Sequence, residues 1–349
     1  MDSWYKDYKE NSEEYLELFN SVMQEKQEQN VEFLEENIKD ITRREHAVAV
    51  NSGTDALHFA LISLGIKPGD EVLVSNFSWI STASCISMIG AIPVFCDIDT
   101  SSYHMSLDSV KRMYSNKTKA IIYPHLFGNM SDTSRIQEFC QDIHFIEDAC
   151  QALGSSLNNV YGGEAGDVST LSFNANKVVA GIAGGGALLT DDDRIADTAR
   201  KLRRHGNHEM LGYNSKMLFM NAKFIDYRLK KLKEYQTIRQ EIAKKYDERL
   251  KDLVIIQNPW DYNTNHSYHK YIIRLQSKET RDRLKVRLNA GVHYDTPISE
   301  LPMYKNIEHR KDYITNAQTV CDTILTLPID PFITDEEIDN TCNIIMATA

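Results

Sequence analysis

From about residue 46 the chain alternates short apolar runs with helical patterns, and turn signals separate them. The apolar runs predict strands, namely HAVAV, EVLVS, AIPVFCDI, KAIIYPHLF, HFIEDA, VSTLSF and GGALLT. The stretches between them, such as TDALHFALISLG, ASCISMIG, SLDSVKRMY and DTSRIQEFCQ, predict helices. Strands this apolar, separated by helices, belong to a mostly parallel sheet covered on both faces. The sequence therefore predicts an α/β fold with three αβα layers.

A second, smaller domain is expected after a helix-rich stretch at residues 219–252 that lacks glycine and proline. Beyond it, YHKYIIRL predicts a strand and KETRDRLKVRLNAG a helix. TDEEIDNTCNIIMA predicts a terminal helix that opens with a capping box of Thr334 and Glu337. We expect a large domain over residues 1–240, with an acidic N-terminal helix to about residue 30, and a small α+β domain over residues 241–349.

Composition excludes several classes of partner. The chain has 50 acidic and 39 basic residues, a net charge of -11, which disfavours binding to nucleic acid or to an anionic membrane surface. It has no apolar run near bilayer length, and its first residues lack the pattern of a secretory signal. Six cysteines without CxxC spacing indicate reduced thiols. We expect a cytoplasmic protein in which the basic patch KLRRHG is a solvated last helical turn.

Two pairs of histidines have a spacing that can suggest a metal site. His205 and His208 are three residues apart, as are His266 and His269. Neither pair has a third ligand nearby in the sequence, and zinc sites in proteins use at least three protein ligands. We therefore expect loop histidines and no metal.

The exits of the predicted strands are the places to look for chemistry, because ligands of parallel sheets bind beyond the carboxyl ends of the strands. Lys177 lies at one such exit, in FNANK, among apolar and small residues. Burial lowers the pKa of a lysine, and a neutral amine attacks a carbonyl to form a Schiff base. Lys177 is thus a candidate covalent anchor, with a solvated lysine at a strand end as the alternative.

Asp148 ends the apolar strand HFIED at a second exit. A buried carboxylate needs a cation or hydrogen-bond donors, and a protonated pyridine nitrogen is one such cation. An aspartate facing the pyridinium of pyridoxal 5'-phosphate (PLP) keeps the ring charged and able to accept electrons. The alternative is that Asp148 or Glu147 caps the next helix.

NSGTDAL at a third exit is a candidate phosphate site. Gly53 allows close approach of the backbone, and the start of a helix favours an anion. The hydroxyls of Thr54 and Ser172 can complete the cradle, although an ordinary N-cap explains the same letters. Trp79, just past EVLVS, can lie flat on an aromatic ring or be buried in the core.

These motifs, in this order, resemble the DegT/DnrJ/EryC1/StrS family of nucleotide-sugar aminotransferases, which have PLP fold type I. The resemblance covers about residues 30 to 340 and rests on VNSGTDALHFAL, GAIPVFCDID, FIEDACQALGS, GDVSTLSFNANK, GGGALLTDD and GYNSK. It implies that Lys177 anchors PLP, that Asp148 pairs with the pyridine nitrogen and that Trp79 stacks on the ring. It also implies these further cofactor contacts: Gln151 at the ring hydroxyl, Gly53, Thr54 and Ser172 at the phosphate, and Asn214 from the other subunit of a homodimer.

The resemblance implies transamination in two halves, from L-glutamate to a keto sugar still attached to its nucleotide diphosphate. The form FNANK…GGG resembles members that convert a 4-keto-6-deoxyhexose to the 4-amino-4,6-dideoxyhexose. C3 amination and a non-catalytic binding or regulatory protein are the alternatives. A nicotinamide dehydrogenase is disfavoured, because GIAGGGALL fails the GxGxxG spacing.

The chain departs from the family pattern at several positions. Lys216 stands two residues after the GYN asparagine, where many relatives have an arginine, so a point charge replaces a bidentate fork. Ser299 stands where relatives commonly place a histidine of the sugar pocket. GIAGGG lacks the acidic residue of the more usual GEGG.

Overall fold

The computed structural model describes residues 3–24, 29–256 and 264–348. The strands are β1 (His46–Val50), β2 (Glu71–Ser75), β3 (Ile92–Cys96), β4 (Thr118–Pro124), β5 (His144–Asp148), β6 (Ser156–Leu157), β7 (Val160–Tyr161), β8 (Val168–Ser172), β9 (Gly186–Thr190), β10 (Ile255–Ile256), β11 (Thr264–Asn265), β12 (Tyr271–Arg274), β13 (Arg310–Lys311) and β14 (Ile324–Leu327). The helices are α1 (Ser3–Glu10), α2 (Ser12–Val22), α3 (Gln29–Thr42), α4 (Gly53–Ser63), α5 (Ser81–Met88), α6 (Leu107–Met113), α7 (Ser134–Phe139), α8 (Asp193–Leu202), α9 (Phe219–Lys230), α10 (Leu232–Leu250), α11 (Lys278–Leu288), α12 (Thr315–Thr323) and α13 (Asp335–Met346). Short 3-10 helices lie at His205–His208, Ile298–Glu300 and Pro302–Lys305.

The central sheet has eight strands in the order β1-β9-β8-β5-β4-β2-β3-β13. Every neighbouring pair from β8 to β13 is parallel, whereas β9 is antiparallel to both β8 and β1. The reversal at β9 follows from its connection, because residues 173–185 contain no helix and a parallel crossover usually needs one. The predicted α/β class with a mostly parallel sheet is confirmed.

Alternate residues of β1 face two hydrophobic cores that lie on opposite sides of the central sheet. Val48 and Val50 pack with α4, α5 and α8, whereas Ala47 and Ala49 pack with α3 and α9. This period of two arises because successive side chains of a strand point to opposite faces. Helices therefore cover both faces, and the carboxyl ends of the parallel strands remain open for a ligand.

The N-terminal segment forms two helices, α1 and α2, instead of the single acidic helix expected. Asp7 is buried and forms an ion pair of 2.7 Å with Arg228 of α9. Tyr15 and Tyr235 also donate hydrogen bonds to the Asp7 carboxylate, at 2.7 and 2.9 Å. A charged and aromatic cluster thus attaches this segment to the large unit.

A third core lies around the small sheet β10-β12-β14 and draws on α10, α11 and α13. The capping box of α13 is confirmed: the Glu337 amide donates to the Thr334 hydroxyl at 3.2 Å and the Thr334 amide donates to Glu337 at 2.8 Å. Residues 298–311 return to the large sheet, where β13 pairs with β3. The helix α10 runs through residue 240, and the domain boundary there stays a prediction.

Three features noted in the sequence are the basic patch KLRRHG, the six cysteines and the lack of an apolar run of bilayer length. The patch KLRRHG is not wholly solvated, because Arg203 is buried, pairs with Glu35 at 2.5 Å and donates to the Ala49 carbonyl at 2.7 Å. The six cysteines are unpaired thiols, and all except Cys150 are buried. Among the described residues, no helix combines the length and the apolar composition that crossing a membrane requires.

Candidate active site

A cavity of about 390 Å³ lies at the carboxyl ends of β1, β2, β5 and β8. Seven of the eight residues predicted as catalytic or cofactor-binding line it: Gly53, Thr54, Trp79, Asp148, Gln151, Ser172 and Lys177. They come from four separate strand exits, which the parallel sheet brings to one edge. The eighth, Asn214, lines a different cavity of the same chain.

Lys177 lies in a turn just past β8, and its backbone amide donates a hydrogen bond to the Asn174 carbonyl at 2.9 Å. The residue is half-buried, and burial of the amine lowers the pKa of Lys177, while the charges of Cys150 and Asp148 act in the opposite direction. A lowered pKa increases the fraction of neutral amine near neutral pH. The solvated lysine considered from the sequence is therefore wrong, and the residue has the character of a nucleophile.

Asp148 is only 6% exposed and accepts two hydrogen bonds. Thr82 donates to one carboxylate oxygen at 2.8 Å, and the amide of Cys150 donates to the other at 3.2 Å. No ion pair with Asp148 forms within the part of the chain that is described. A buried carboxylate with two donors and no cation of its own is suited to a cation supplied by a ligand.

The helix-capping alternative for the two acids at the end of β5 is wrong. Residues 149–154 form turns and not a helix. Glu147 is fully buried on the other side of the strand, where the amides of Gly163 and Ala165 and the hydroxyl of Ser169 donate to it. Glu147 thus fixes the loop after β7, and Asp148 alone faces the cavity.

The start of α4 forms the third side of the cavity. Ser52 is the N-cap and accepts a hydrogen bond from the Asp55 amide at 3.1 Å, so the ordinary cap is present and is made by a different residue. A Cβ on Gly53 would lie 2.9 Å from the Ser172 Cβ, so only glycine allows this close approach. Thr54 contacts the Ser81 hydroxyl at 2.7 Å, which places hydroxyl groups beside a helix N-terminus.

Trp79 and Gln151 lie near a tyrosine that the sequence did not indicate. Trp79 is 56% exposed at the cavity, so burial in the core is wrong. Its ring lies 6.3 Å from that of Tyr294. The side-chain amide of Gln151 donates to the Tyr294 hydroxyl at 3.1 Å and accepts from the backbone amide of Phe127 at 3.0 Å. These two hydrogen bonds fix the orientation of the Gln151 side chain.

Four of the lining residues come from the second half of the chain and were missed: His269, Lys270, His293 and Tyr294. His266 and His269 lie in the loop between β11 and β12, as expected, and both are buried, at about 5% exposed. The alternation of YHKYIIRL predicts a strand but cannot show which cavity its first residues reach. Within residues 3–24, 29–256 and 264–348, no three metal-ligating side chains cluster.

Of the positions at which the chain departs from the family pattern, Lys216 and Ser299 lie outside this cavity, whereas Ala183, Gly184 and Gly185 of GIAGGG line it. Asn214 and Lys216 are exposed and line a second cavity with Glu35 and Arg203. Ser299 is buried, and its hydroxyl and amide bond the side chain of Asn76 at 2.9 and 2.8 Å. Ser299 therefore attaches its loop to the end of β2 and does not face the Lys177 cavity.

The residues of the Lys177 cavity fit PLP. The buried Asp148 has no cation partner among the described residues, Lys177 has a lowered pKa, and Gly53 packs too tightly for a side chain. Together they provide a place for a pyridinium, an amine for a carbonyl and a helix start for a phosphate. These are the three chemical groups of PLP that a protein must recognise.

Comparison with known proteins agrees with this geometry. The model of the DegT/DnrJ/EryC1/StrS aminotransferase family matches residues 6–346. The chain is similar to a UDP-N-acetyl-3-dehydro-alpha-D-glucosamine 3-aminotransferase of Acidithiobacillus ferrooxidans, with 32% identity over 90% of this chain and 87% of that protein. It is 31% identical to a dTDP-4-dehydro-2,3,6-trideoxy-D-glucose 4-aminotransferase of Saccharopolyspora spinosa, over 84% of this chain and 82% of that one.

A third relative has a different kind of name. It is a pleiotropic regulatory protein of Geobacillus stearothermophilus, with 32% identity over 88% of this chain and 86% of that protein. Among solved structures, S. venezuelae DesV in complex with a ketimine intermediate is similar, with a TM-score of 0.91, 27% identity and coverage of 98% of this chain and 95% of that one. The chain belongs to the DegT/DnrJ/EryC1/StrS aminotransferase family and is a PLP-dependent aminotransferase.

Proposed function

We propose that this protein transfers an amino group from L-glutamate to C4 of a nucleotide-linked 4-keto-6-deoxyhexose, which yields the 4-amino-4,6-dideoxyhexose. The observation that carries the proposal is that Lys177 and Asp148 line one cavity beside the start of α4. The unpaired cysteines support a reducing compartment, and we place the reaction in the cytoplasm.

Each residue of the cavity has a defined task in this proposal. When bound, PLP supplies an electron sink for the carbanion that forms at the substrate. Asp148 keeps a proton at the pyridine nitrogen, and Thr82 orients Asp148. The amine of Lys177 would take the proton from the α-carbon of the donor as a general base and would give it up again as a general acid. Trp79 covers the ring.

The phosphate is assigned to the start of α4 and to the hydroxyl groups around it. Gly53 and Thr54 begin the helix, and Ser172 lies against Gly53. Ser81, which contacts Thr54, is a further donor that the sequence did not indicate. Several backbone and hydroxyl donors at a helix N-terminus favour a dianion.

The choice of C4 over C3 rests on the FNANK…GGG form and on the Saccharopolyspora relative, named as a 4-aminotransferase. C3 amination is the second candidate, because the Acidithiobacillus relative is named as a 3-aminotransferase. To test the proposal, we would incubate the protein with glutamate and UDP-, dTDP- and GDP-linked 4-keto-6-deoxy and 3-keto sugars, and identify the products by mass and NMR. An amine at C4 is expected, and an amine only at C3 would contradict this choice.

The non-catalytic alternative considered from the sequence is an outcome of the same test that would contradict the proposal, and the Geobacillus relative has a regulatory name. Such a protein would bind PLP with visible absorption yet aminate no sugar of the panel. The Lys177→Ala and Asp148→Asn variants serve as matched controls. If the native protein turns over a sugar of the panel and both variants do not, a non-catalytic role is excluded.

We further propose a homodimer in which Asn214 reaches the phosphate site of the partner. Asn214 is exposed, and the side chains of Leu211 and Leu218 near it are 94% and 51% exposed. Exposed apolar residues grouped in this way are typical of an interface. Mixing the inactive Lys177→Ala and Asn214→Ala variants should restore activity, because one hybrid site is then intact. An Asn214→Ala variant with native affinity for PLP would contradict the assignment.

A further inference from the structure

Lys270 is a cation of the active-site cavity to which none of the preceding assignments gives a task. It lies directly before β12 and lines the cavity together with Lys177 and His293. Its amide donates to the Phe127 carbonyl at 3.2 Å, which fixes its backbone against the loop after β4. Its position is therefore set by both the small sheet and the large unit.

The ammonium group of Lys270 lacks a counter-ion. Across the described ranges it has no hydrogen bond or ion pair. The charges that act on it come from Lys177 and Arg239, which are both cations. Burial and these two neighbours lower the pKa of Lys270 to about 8, so it is still mostly protonated at neutral pH.

A half-buried cation that forms no ion pair is uncommon, because buried charges are normally paired. The acid that lines this cavity, Asp148, already accepts hydrogen bonds from Thr82 and Cys150 and acts on Lys177. Asp330 lines a second cavity that Lys270 also borders, and its charge acts on Arg239. This wall of the cavity is therefore complete only when a ligand supplies an anion. The phosphate has its own site at the start of α4, so a second anionic group is required.

We propose that Lys270 binds a carboxylate of the amino-acid donor. This rests on the proposed function, because the donor must place its α-carbon beside the amine of Lys177. A carboxylate on or near that carbon then lies within the part of the cavity that Lys270 lines. Lys216, at the position where many relatives have an arginine, is exposed in a different cavity of the same chain. A lysine provides a single point charge and needs no bidentate geometry.

The test is the half-reaction with the donor alone. It is monitored through the loss of visible absorption of the lysine-linked cofactor. Lys270→Met keeps the length of the side chain and removes the charge. The variant loses a hydrogen bond to a charged group, so the concentration of glutamate that half-saturates it should rise by about 10- to 100-fold. Lys270→Arg should recover most of the affinity. Lys67→Met, a change at an exposed turn, is the matched control.

Two measurements separate a binding role from a structural one. Lys270→Met should react with 1-phenylethylamine, which has no carboxylate, at the native rate. Calorimetry with glutarate, an unreactive dicarboxylate, should show the same loss of affinity as the glutamate titration. An equal loss with the amine would overturn the assignment, because a general disturbance of the site would then explain it.

Other outcomes have distinct meanings. Native affinity of Lys270→Met for glutamate, with the loss appearing in Lys216→Met, would overturn the proposal and leave the proposed function intact. A defect confined to the half-reaction with the nucleotide sugar would overturn it too and assign the anion to the sugar. A native protein that binds PLP but reacts with no amino acid of a panel would instead refute the proposed function.

Discussion

Replacing Gly53 by alanine tests whether the start of α4 carries the cofactor phosphate. The new Cβ would lie 2.9 Å from the Ser172 Cβ and 3.0 Å from the Cys150 sulfur. Because the Ser172 Cβ is attached to the backbone of β8, it cannot move aside by a change of rotamer. The start of α4 must therefore shift away from β8, and overpacking of this kind costs about 1–3 kcal/mol.

The expected result is a loss of affinity for PLP, because the shift moves the helix start and the Thr54 hydroxyl together. If the whole strain is relieved at the phosphate site, about 1–3 kcal/mol corresponds to a rise in Kd of about 5- to 150-fold. The assay is titration of the apoprotein with PLP, followed by visible absorption. Thermal unfolding without PLP should show a smaller change.

Gly65 provides a matched control at the other end of the same helix. It has a φ of +75°, and no atom lies within 4 Å of an added Cβ. Gly65→Ala therefore costs about 1–2 kcal/mol of backbone strain and causes no clash. It should lower the stability of the protein while the Kd for PLP stays native. Equal loss of PLP affinity in both variants, or in neither, would refute the reasoning.

Three further predictions concern groups around the site and in the core. Thr82→Val removes the donor to Asp148, so kcat should fall by about 10- to 100-fold with KM nearly unchanged, as steady-state kinetics would show. Asp7→Asn leaves Arg228 without its ion pair, and urea unfolding should show a loss of about 3–5 kcal/mol. Burial lowers the pKa of three histidines from 6.5 to about 3 or 4, namely His104, His125 and His266. Below pH 6.5 the unfolded state therefore binds more protons than the folded state, and the free energy of unfolding should fall as the pH decreases towards 4.

The large unit was predictable because its signals are local. HAVAV, EVLVS and HFIED are strands in the structure, and α4 ends just before Gly65. The cavity followed from the rule that parallel strands place their carboxyl ends at one edge. Lys177 and Asp148 could therefore be paired, although they are far apart in the chain.

The features that were missed depend on packing between distant segments. Arg203 belongs to a patch that looks solvated, yet α3 supplies Glu35 beside it. Lys270 and Tyr294 reach the cavity because the small sheet docks against the loop after β4, and no periodicity in YHKYIIRL encodes that contact. A strand pattern shows which residues share a face but not which unit covers that face.

The most direct measurement is to find which lysine carries the cofactor. The protein loaded with PLP is reduced with borohydride and digested, and the pyridoxyl mass is located by mass spectrometry. The account predicts the label on the peptide that contains Lys177. Lys270 shares the cavity and also has a lowered pKa, about 8, so it is the natural competitor. A label on Lys270, or undiminished labelling of a Lys177→Ala variant, would contradict the central claim.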